Sequence, residues 1–149
     1  MISAEDIRER KRLERRRLLA VRNSISQQDK AALDAAITDN LLSLEAYRKA
    51  DGLLLYASFR GEPDISAVMR HALAHGKRVA LPRCRDDGSR PMDFFEITST
   101  DELLPGKYGI PEPPPGAALA DTSRFSLCVV PSLALDEQGY RIGYGGGYY

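Results

Sequence analysis

The sequence carries no excess of either charge: 21 Lys and Arg balance 21 Asp and Glu over 149 residues. That balance argues against the strongly basic surface by which a whole protein binds nucleic acid. Long apolar runs are missing as well. No stretch approaches the roughly 20 residues needed to span a bilayer, and the first residues are charged where a secretory leader would be apolar. A cytoplasmic location with no membrane partner is therefore expected. Cysteine is scarce: Cys84 and Cys128 are the only two, and neither belongs to a Cys-x-x-Cys pair, which fits reduced, mainly structural thiols. His71 and His75 are the only histidines. Their i, i+4 spacing could chelate a metal, but they lie opposite the apolar stripe of their helix with no third ligand in sight, and are expected to face solvent. There are no internal repeats, and a chain of this length reads as one domain, able to bury roughly two-thirds of its unfolded surface.

What the sequence does have is a glycine-rich end, Arg141-Ile142-Gly143-Tyr144-Gly145-Gly146-Gly147-Tyr148-Tyr149. Four of these nine residues lack a side chain, so main-chain N–H groups there can approach a ligand closely and form an anion nest. Upstream lie an apolar run, Leu127-Cys128-Val129-Val130, then Pro131 and a second apolar segment, Leu133-Ala134-Leu135, which together read as a strand running into a loop. A glycine loop hung from a strand end suggests phosphate binding. Its spacing is not that of the dinucleotide fingerprint, because Tyr148 occupies the place of the third glycine, and no Gly-Lys-Ser/Thr follows to make a P-loop. A flexible Gly/Tyr tail remains the plain alternative.

The elements upstream can be read in order. Residues 5–22 form an expected helix rich in arginine, on which Lys11, Arg15 and Arg22 project within roughly 40° of one another at about 100° per residue. Such a stripe is either a solvated face or a basic arm. Ser26, with Asp29 three residues on, marks a second helix start, and Leu33, Ile37, Leu41 and Leu44 recur on one face, which predicts a core-packing helix. Gly52 to Ala57 holds the short apolar run of a buried parallel strand. A loop from Ser58 to Pro63 follows. Ile65, Val68, Met69, Ala72 and Leu73 then fall at helical spacing up to a C-terminal stop at Gly76, and 77–82 supply the next strand. This is a βαβ unit, and ligands of parallel sheets gather at the carboxyl ends of the strands, where Glu62 stands. Asp86 to Ser89 predicts a turn, Met92 to Ile97 a further strand. The Pro-rich segment 111–115 predicts a stiff, extended connector.

The run Val130-Pro131-Ser132-Leu133-Ala134-Leu135-Asp136, Gly139, then Arg141 to Tyr149 resembles the signature of the 5-formyltetrahydrofolate cyclo-ligase family, Val-Pro-Gly-Leu-Ala-Phe-Asp, Gly, Arg-Leu-Gly and a glycine-rich turn closing on Tyr-Tyr-Asp. Ser132 and Leu135 depart from it mildly. Tyr56-Ala57-Ser58-Phe59-Arg60-Gly61-Glu62 resembles the family's Tyr-x-Ser-x-x-x-Glu, 106–113 its Gly-Ile-x-Glu-Pro region, and the Lys11/Arg15 spacing its N-terminal Lys and Arg. The resemblance implies a three-layer α/β fold, a mostly parallel sheet with helices on both faces, Rossmann-like and akin to the CoA-transferase group. Residues 1–149 would be one such domain, incomplete at the C-terminus, since family chains run roughly 40 residues further, room for a helix and a strand.

By the same resemblance the protein would be a ligase forming a C–N bond, using ATP with Mg²⁺ to cyclise 5-formyltetrahydrofolate to 5,10-methenyltetrahydrofolate. ATP would be held by Lys11, Arg15, Arg141, Gly143, Tyr144, Gly145, Gly146, Gly147, Tyr148 and Tyr149. The folate would meet Ala57, Glu62, Met92, Tyr144, Gly145, Gly146, Gly147 and Tyr148, with Phe94 as further apolar wall. A carboxylate at Glu62 suits the paired N–H donors of a pterin edge. The family's metal-binding Asp falls one position past Tyr149, so no metal ligand and no catalytic acid or base is assigned within the chain. Two other readings stand beside this one: a non-catalytic nucleotide or anion module on the same scaffold, and a small RNA-associated protein in which the tyrosines stack on bases.

Overall fold

A computed structural model describes residues 1–85 and 92–144; the expected turn at Asp86 to Ser89 and the end of the chain from Gly145 to Tyr149 lie outside them. In chain order the elements are α1 (Ala4–Asn23), α2 (Gln27–Ser43), α3 (Glu45–Lys49), β1 (Gly52–Leu54), α4 (Ser66–Ala74), β2 (Arg78–Arg83), β3 (Asp93–Ile97), β4 (Leu104–Pro105), β5 (Pro111–Glu112), β6 (Leu127–Cys128), β7 (Ala134–Leu135) and β8 (Arg141–Ile142). The main sheet runs β3-β2-β1-β6. β1 pairs in parallel with both β2 and β6, while β3 is antiparallel to β2. This is the expected α/β class with a mostly parallel sheet.

The βαβ unit forms where its pattern placed it. Leu53, Leu55, Val79 and Leu81 are almost fully buried, as are Ile65, Val68, Met69 and Ala72 at the start and along one face of α4. The crossover helix thus lays its apolar stripe on the strands it connects, and the area so removed from water is the main stabilising term. Gly76 ends the helix in the left-handed region, φ +73°, a conformation that costs other residues a Cβ clash.

Two expectations need correction. The apolar stripe of α2 does not enter the core: Leu33 and Leu44 are half exposed, Ile37 is exposed, and of that stripe only Leu41, with its neighbour Leu42, packs partly against the buried cluster. Helical periodicity reports that a face is apolar, but not that a partner covers it. The Pro-rich segment is no mere connector either. β4 and β5 pair as an antiparallel hairpin, Leu104 with Glu112 and Pro105 with Pro111, around a tight turn in which Tyr108 and Gly109 both take positive φ.

α1 is held differently from the other helices. Ser3 and Asp6 close a capping box at its start, yet none of its residues is buried. Glu14, Arg15, Leu18, Leu19 and Arg22 are half-buried, while residues 4–13 are exposed throughout. Only the second half of the helix is docked. Among the described residues no helix is long and apolar enough to cross a membrane.

Candidate functional site

β1 ends at Leu54, and its pairing continues one residue further through the Leu55 N–H to Ala80 O hydrogen bond. The chain then turns away through Tyr56 to Glu62, so the residues after β1 stand at the carboxyl end of the parallel strands. A cavity of about 450 Å³ opens there, lined from β1's loop by Tyr56, Ala57, Phe59, Arg60 and Glu62, and from β2 and its exit by Pro82 and Cys84. Met92, the β4–β5 hairpin (Tyr108, Ile110, Pro111, Glu112), Pro131, Arg141, Gly143, Tyr144 and Leu19 of α1 complete its wall. A largely apolar wall with a few polar groups is the usual make-up of a small-molecule site, and the volume lies in the range such sites occupy.

Among the described residues Glu62 is the one buried acid, 8% exposed. Its Oε2 accepts the Phe59 N–H at 2.9 Å. Burial pushes the carboxyl above its ordinary range, against the Phe59 N–H, the nearby Arg22 guanidinium and the Tyr144 hydroxyl, which favour the ion. Burial first, and then the Glu62 charge, push the Tyr144 phenol up in turn.

Three arginines fasten the rim. Arg15 Nε donates to Gly143 O at 3.0 Å. Arg22 donates through Nη1 to Tyr144 Oη at 2.7 Å and through Nη2 to Ser132 O at 2.6 Å. Arg141 Nη1 donates to Pro131 O at 3.0 Å. A guanidinium has five N–H donors, so Arg15 and Arg141 each keep most of theirs for another partner.

The cavity therefore brings together Ala57, Glu62, Met92, Arg141, Gly143 and Tyr144, all expected at the site. Arg15 reaches its rim through Gly143. Lys11 lies one turn toward the exposed end of α1 and has no hydrogen-bond or ion-pair partner among the described residues. Gly145, Gly146, Gly147, Tyr148 and Tyr149 are outside the described residues. Phe94 is not among the residues lining the cavity.

Several lining residues were not anticipated. Tyr108, Ile110 and Glu112 come from the hairpin read as a connector, and Cys84 is no structural thiol of the core. It faces the cavity, where burial and the Glu112 carboxylate push its thiol up. Cys128 is exposed. Arg22 belonged visibly to the cationic stripe, but nothing in the sequence announced its contacts with residues 132, 133 and 144. Of the two histidines, His75 is exposed as expected, while His71 is not fully solvent-facing. The half-buried His71 shares a 2.7 Å hydrogen bond through Nδ1 with the buried Tyr47 hydroxyl and stacks on His75 with ring centroids 4.0 Å apart.

Comparison with known proteins agrees with this architecture. The model of the 5-formyltetrahydrofolate cyclo-ligase family matches residues 7–149. A probable 5-formyltetrahydrofolate cyclo-ligase of Caenorhabditis elegans is 28% identical over 131 residues, 84% of this chain and 63% of that protein. The 5-formyltetrahydrofolate cyclo-ligase of Escherichia coli is 31% identical over 101 residues, 67% of this chain and 56% of that one. The chain thus spans about three-fifths of the length of the curated relatives it matches. Among solved structures, the 5,10-methenyltetrahydrofolate synthetase of Aquifex aeolicus superposes with a TM-score of 0.81 at 28% identity, covering 93% of this chain and 69% of that one. The corresponding protein of Mycoplasma pneumoniae, 18% identical with a TM-score of 0.72, shares the fold. With a family match running nearly end to end and a shared fold, the chain belongs to the 5-formyltetrahydrofolate cyclo-ligase family.

Proposed function

We propose that this chain carries the folate and nucleotide sites for the ATP-dependent cyclisation of 5-formyltetrahydrofolate to 5,10-methenyltetrahydrofolate. The observation that carries the reading is a buried acid, Glu62, set in a largely apolar cavity at the strand ends with arginines of α1 and β8 at its rim. The pyrimidinone ring of a tetrahydropterin is flat, with paired N–H donors on one edge. It matches a pocket whose single buried acid can accept both donors.

The chemical obstacle is that an amide oxygen leaves poorly. In the proposed sequence the formyl oxygen attacks the γ-phosphorus and ADP departs. The N10 lone pair adds to the activated carbon, and phosphate then leaves with the former formyl oxygen as the C–N double bond forms and N10 loses its proton. Such chemistry asks the protein for alignment and charge compensation more than for a nucleophile. Glu62 would hold the pterin, with Ala57, Met92 and the Tyr108 to Pro111 wall excluding water. Arg141, Arg15 and Lys11 would offset the triphosphate charge. The Gly143 and Tyr144 segment would lie between the two ligands.

The family's cation is Mg²⁺. Among the described residues there is no group of three or more His, Cys, Asp or Glu side chains that could hold a metal ion, and Mg²⁺ is assigned here only as the counter-ion of ATP. Titration calorimetry of the 149-residue chain with MgATP and with 5-formyltetrahydrofolate, together with an assay for the methenyl product, tests the reading. Binding of both ligands supports it. Binding of ATP alone favours a nucleotide module, and salt-sensitive RNA binding without either ligand would replace it with an RNA-associated role.

A further inference from the structure

Arg22 was given no role by the family pattern, yet its guanidinium holds more of the site together than any other described side chain. It stands near the end of α1's docked half, and its stem passes close over the Glu62 loop: a Cβ built on Gly61 would lie 3.6 Å from Arg22 Cδ. Nη2 donates to Ser132 O at 2.6 Å and to Leu133 O at 3.3 Å, and Nη1 donates to Tyr144 Oη at 2.7 Å. Because the tyrosine oxygen accepts from Arg22, its own proton is available to the Glu62 carboxylate. Tyr144 and Glu62 line the same cavity wall, so Arg22 links α1, the segments flanking the β7–β8 hairpin, and the loop after β1. From these contacts we propose that Arg22 is the positioning residue for Glu62: through its bond to Tyr144 and its stem packed over Gly61 it holds that carboxyl group fixed in the cavity wall, ready to accept the donors of a bound pterin. The pterin in that statement rests on the proposed function; the hold on Glu62 does not.

The surroundings leave this task to few other groups. Glu62 is buried, and burial opposes its ionisation, with the Phe59 N–H, the Arg22 charge and the Tyr144 hydroxyl working the other way. The remaining titratable groups on the same cavity are Arg60, Arg141, Glu112, Cys84, Tyr56 and Tyr108, and none of them is among the groups acting on Glu62. Tyr56 donates its hydroxyl to Pro63 O at 2.8 Å, and Arg141 is bonded to Pro131 O.

The test follows the Glu62 carboxyl by carbon NMR in the ¹³C-glutamate-labelled 149-residue chain, the signal being assigned by its loss in Glu62→Gln. Arg22→Gln should move the Glu62 titration midpoint upward, and Arg22→Lys, which restores the charge without the fork, should bring it part of the way back. Tyr144→Phe removes the hydroxyl that Arg22 bonds without changing any charge and should give a smaller rise, which keeps the test open should Arg22→Gln fail to fold. At any pH below a variant's midpoint, affinity for 5-formyltetrahydrofolate should fall about tenfold per further pH unit. A midpoint that stays at the wild-type value in both Arg22→Gln and Tyr144→Phe overturns the assignment, even if folate binds normally. A raised midpoint in a chain that binds no folate at any pH supports the role of Arg22 and instead refutes the proposed function.

Discussion

Glu62→Gln is the substitution in which stability and function should move in opposite directions. In the folded protein Glu62 is 8% exposed, and burial outweighs the three interactions that favour its ionised form, so its folded pKa is raised above the ordinary 4.5. A raised folded value means that the folded state prefers the protonated acid. The stability associated with that preference is fully present below the unfolded value and is lost as pH rises through the folded one. At neutral pH, then, keeping Glu62 ionised in the folded state carries a net cost. Glutamine removes the charge, and its amide oxygen can still accept the Phe59 N–H that Oε2 accepts at 2.9 Å. We expect the variant to be more stable at pH 7 by about 0.5–2 kcal/mol, the range commonly gained by relieving a functional site. A domain of this size would read that as about 2–4 °C in Tm for each kcal/mol.

The difference should vanish on acidification. Below the ordinary carboxylate range Glu62 is protonated in both states of the wild-type chain and behaves as glutamine does, so the two urea midpoints converge. Between the unfolded and folded values the wild-type stability should change by at most about 1.4 kcal/mol per pH unit on account of this group. The same substitution should weaken 5-formyltetrahydrofolate by roughly 10- to 150-fold, the worth of a charge-assisted hydrogen bond of about 1.5–3 kcal/mol, while MgATP binds as before. Urea unfolding from pH 4 to pH 8 and calorimetry at pH 7 provide the measurements. A variant less stable than wild type at pH 7, or one whose stability difference is the same at both ends of the range, refutes the reasoning about burial.

Other expectations follow from single side chains. Lys11→Ala should weaken MgATP by a few-fold, the worth of one exposed ion pair, and leave folate affinity unchanged; calorimetry showing equal loss of both ligands would contradict the division of the site. Leu53→Ala, at a fully buried position, should cost about 2–5 kcal/mol in urea unfolding. Leu33→Ala, half exposed on α2, should stay within about 0.5 kcal/mol, and a cost near that of Leu53→Ala would show that the stripe of α2 is covered after all. Glu112→Gln should speed alkylation of Cys84 at fixed pH, followed peptide by peptide in a mass spectrometer, because the carboxylate helps to hold that thiol protonated; an unchanged rate would remove Glu112 from the thiol's surroundings.

How much of this could be read in advance depended on whether a residue's partner lay nearby in the chain. The β1–α4–β2 unit was legible because Leu53, Val68, Met69 and Val79 satisfy a local period and bury against one another within one crossover. Glu62 was legible for a topological reason: whatever follows a parallel strand must emerge at the end where ligands gather. The stripe of α2 misled because amphipathicity is a property of one helix, whereas burial needs two surfaces, and no described element covers Leu33 or Ile37. The β4–β5 hairpin was hidden because two-residue strands are too short to show alternation, and prolines at 105 and 111 argued against any pairing. Arg22 is the sharpest case. The angular arithmetic that grouped it with Lys11 and Arg15 was sound, but its meaning resides in Ser132, Leu133 and Tyr144, more than 100 residues away. Those acceptors reach it only because the β7–β8 hairpin doubles the chain back on itself, with Leu133 N–H bonded to Ile142 O at 2.8 Å. An arginine that gathers backbone carbonyls from a distant hairpin has no sequence signature, since every residue has a carbonyl. Its role can be recognised only once the fold has decided which carbonyls, and which tyrosine, it meets.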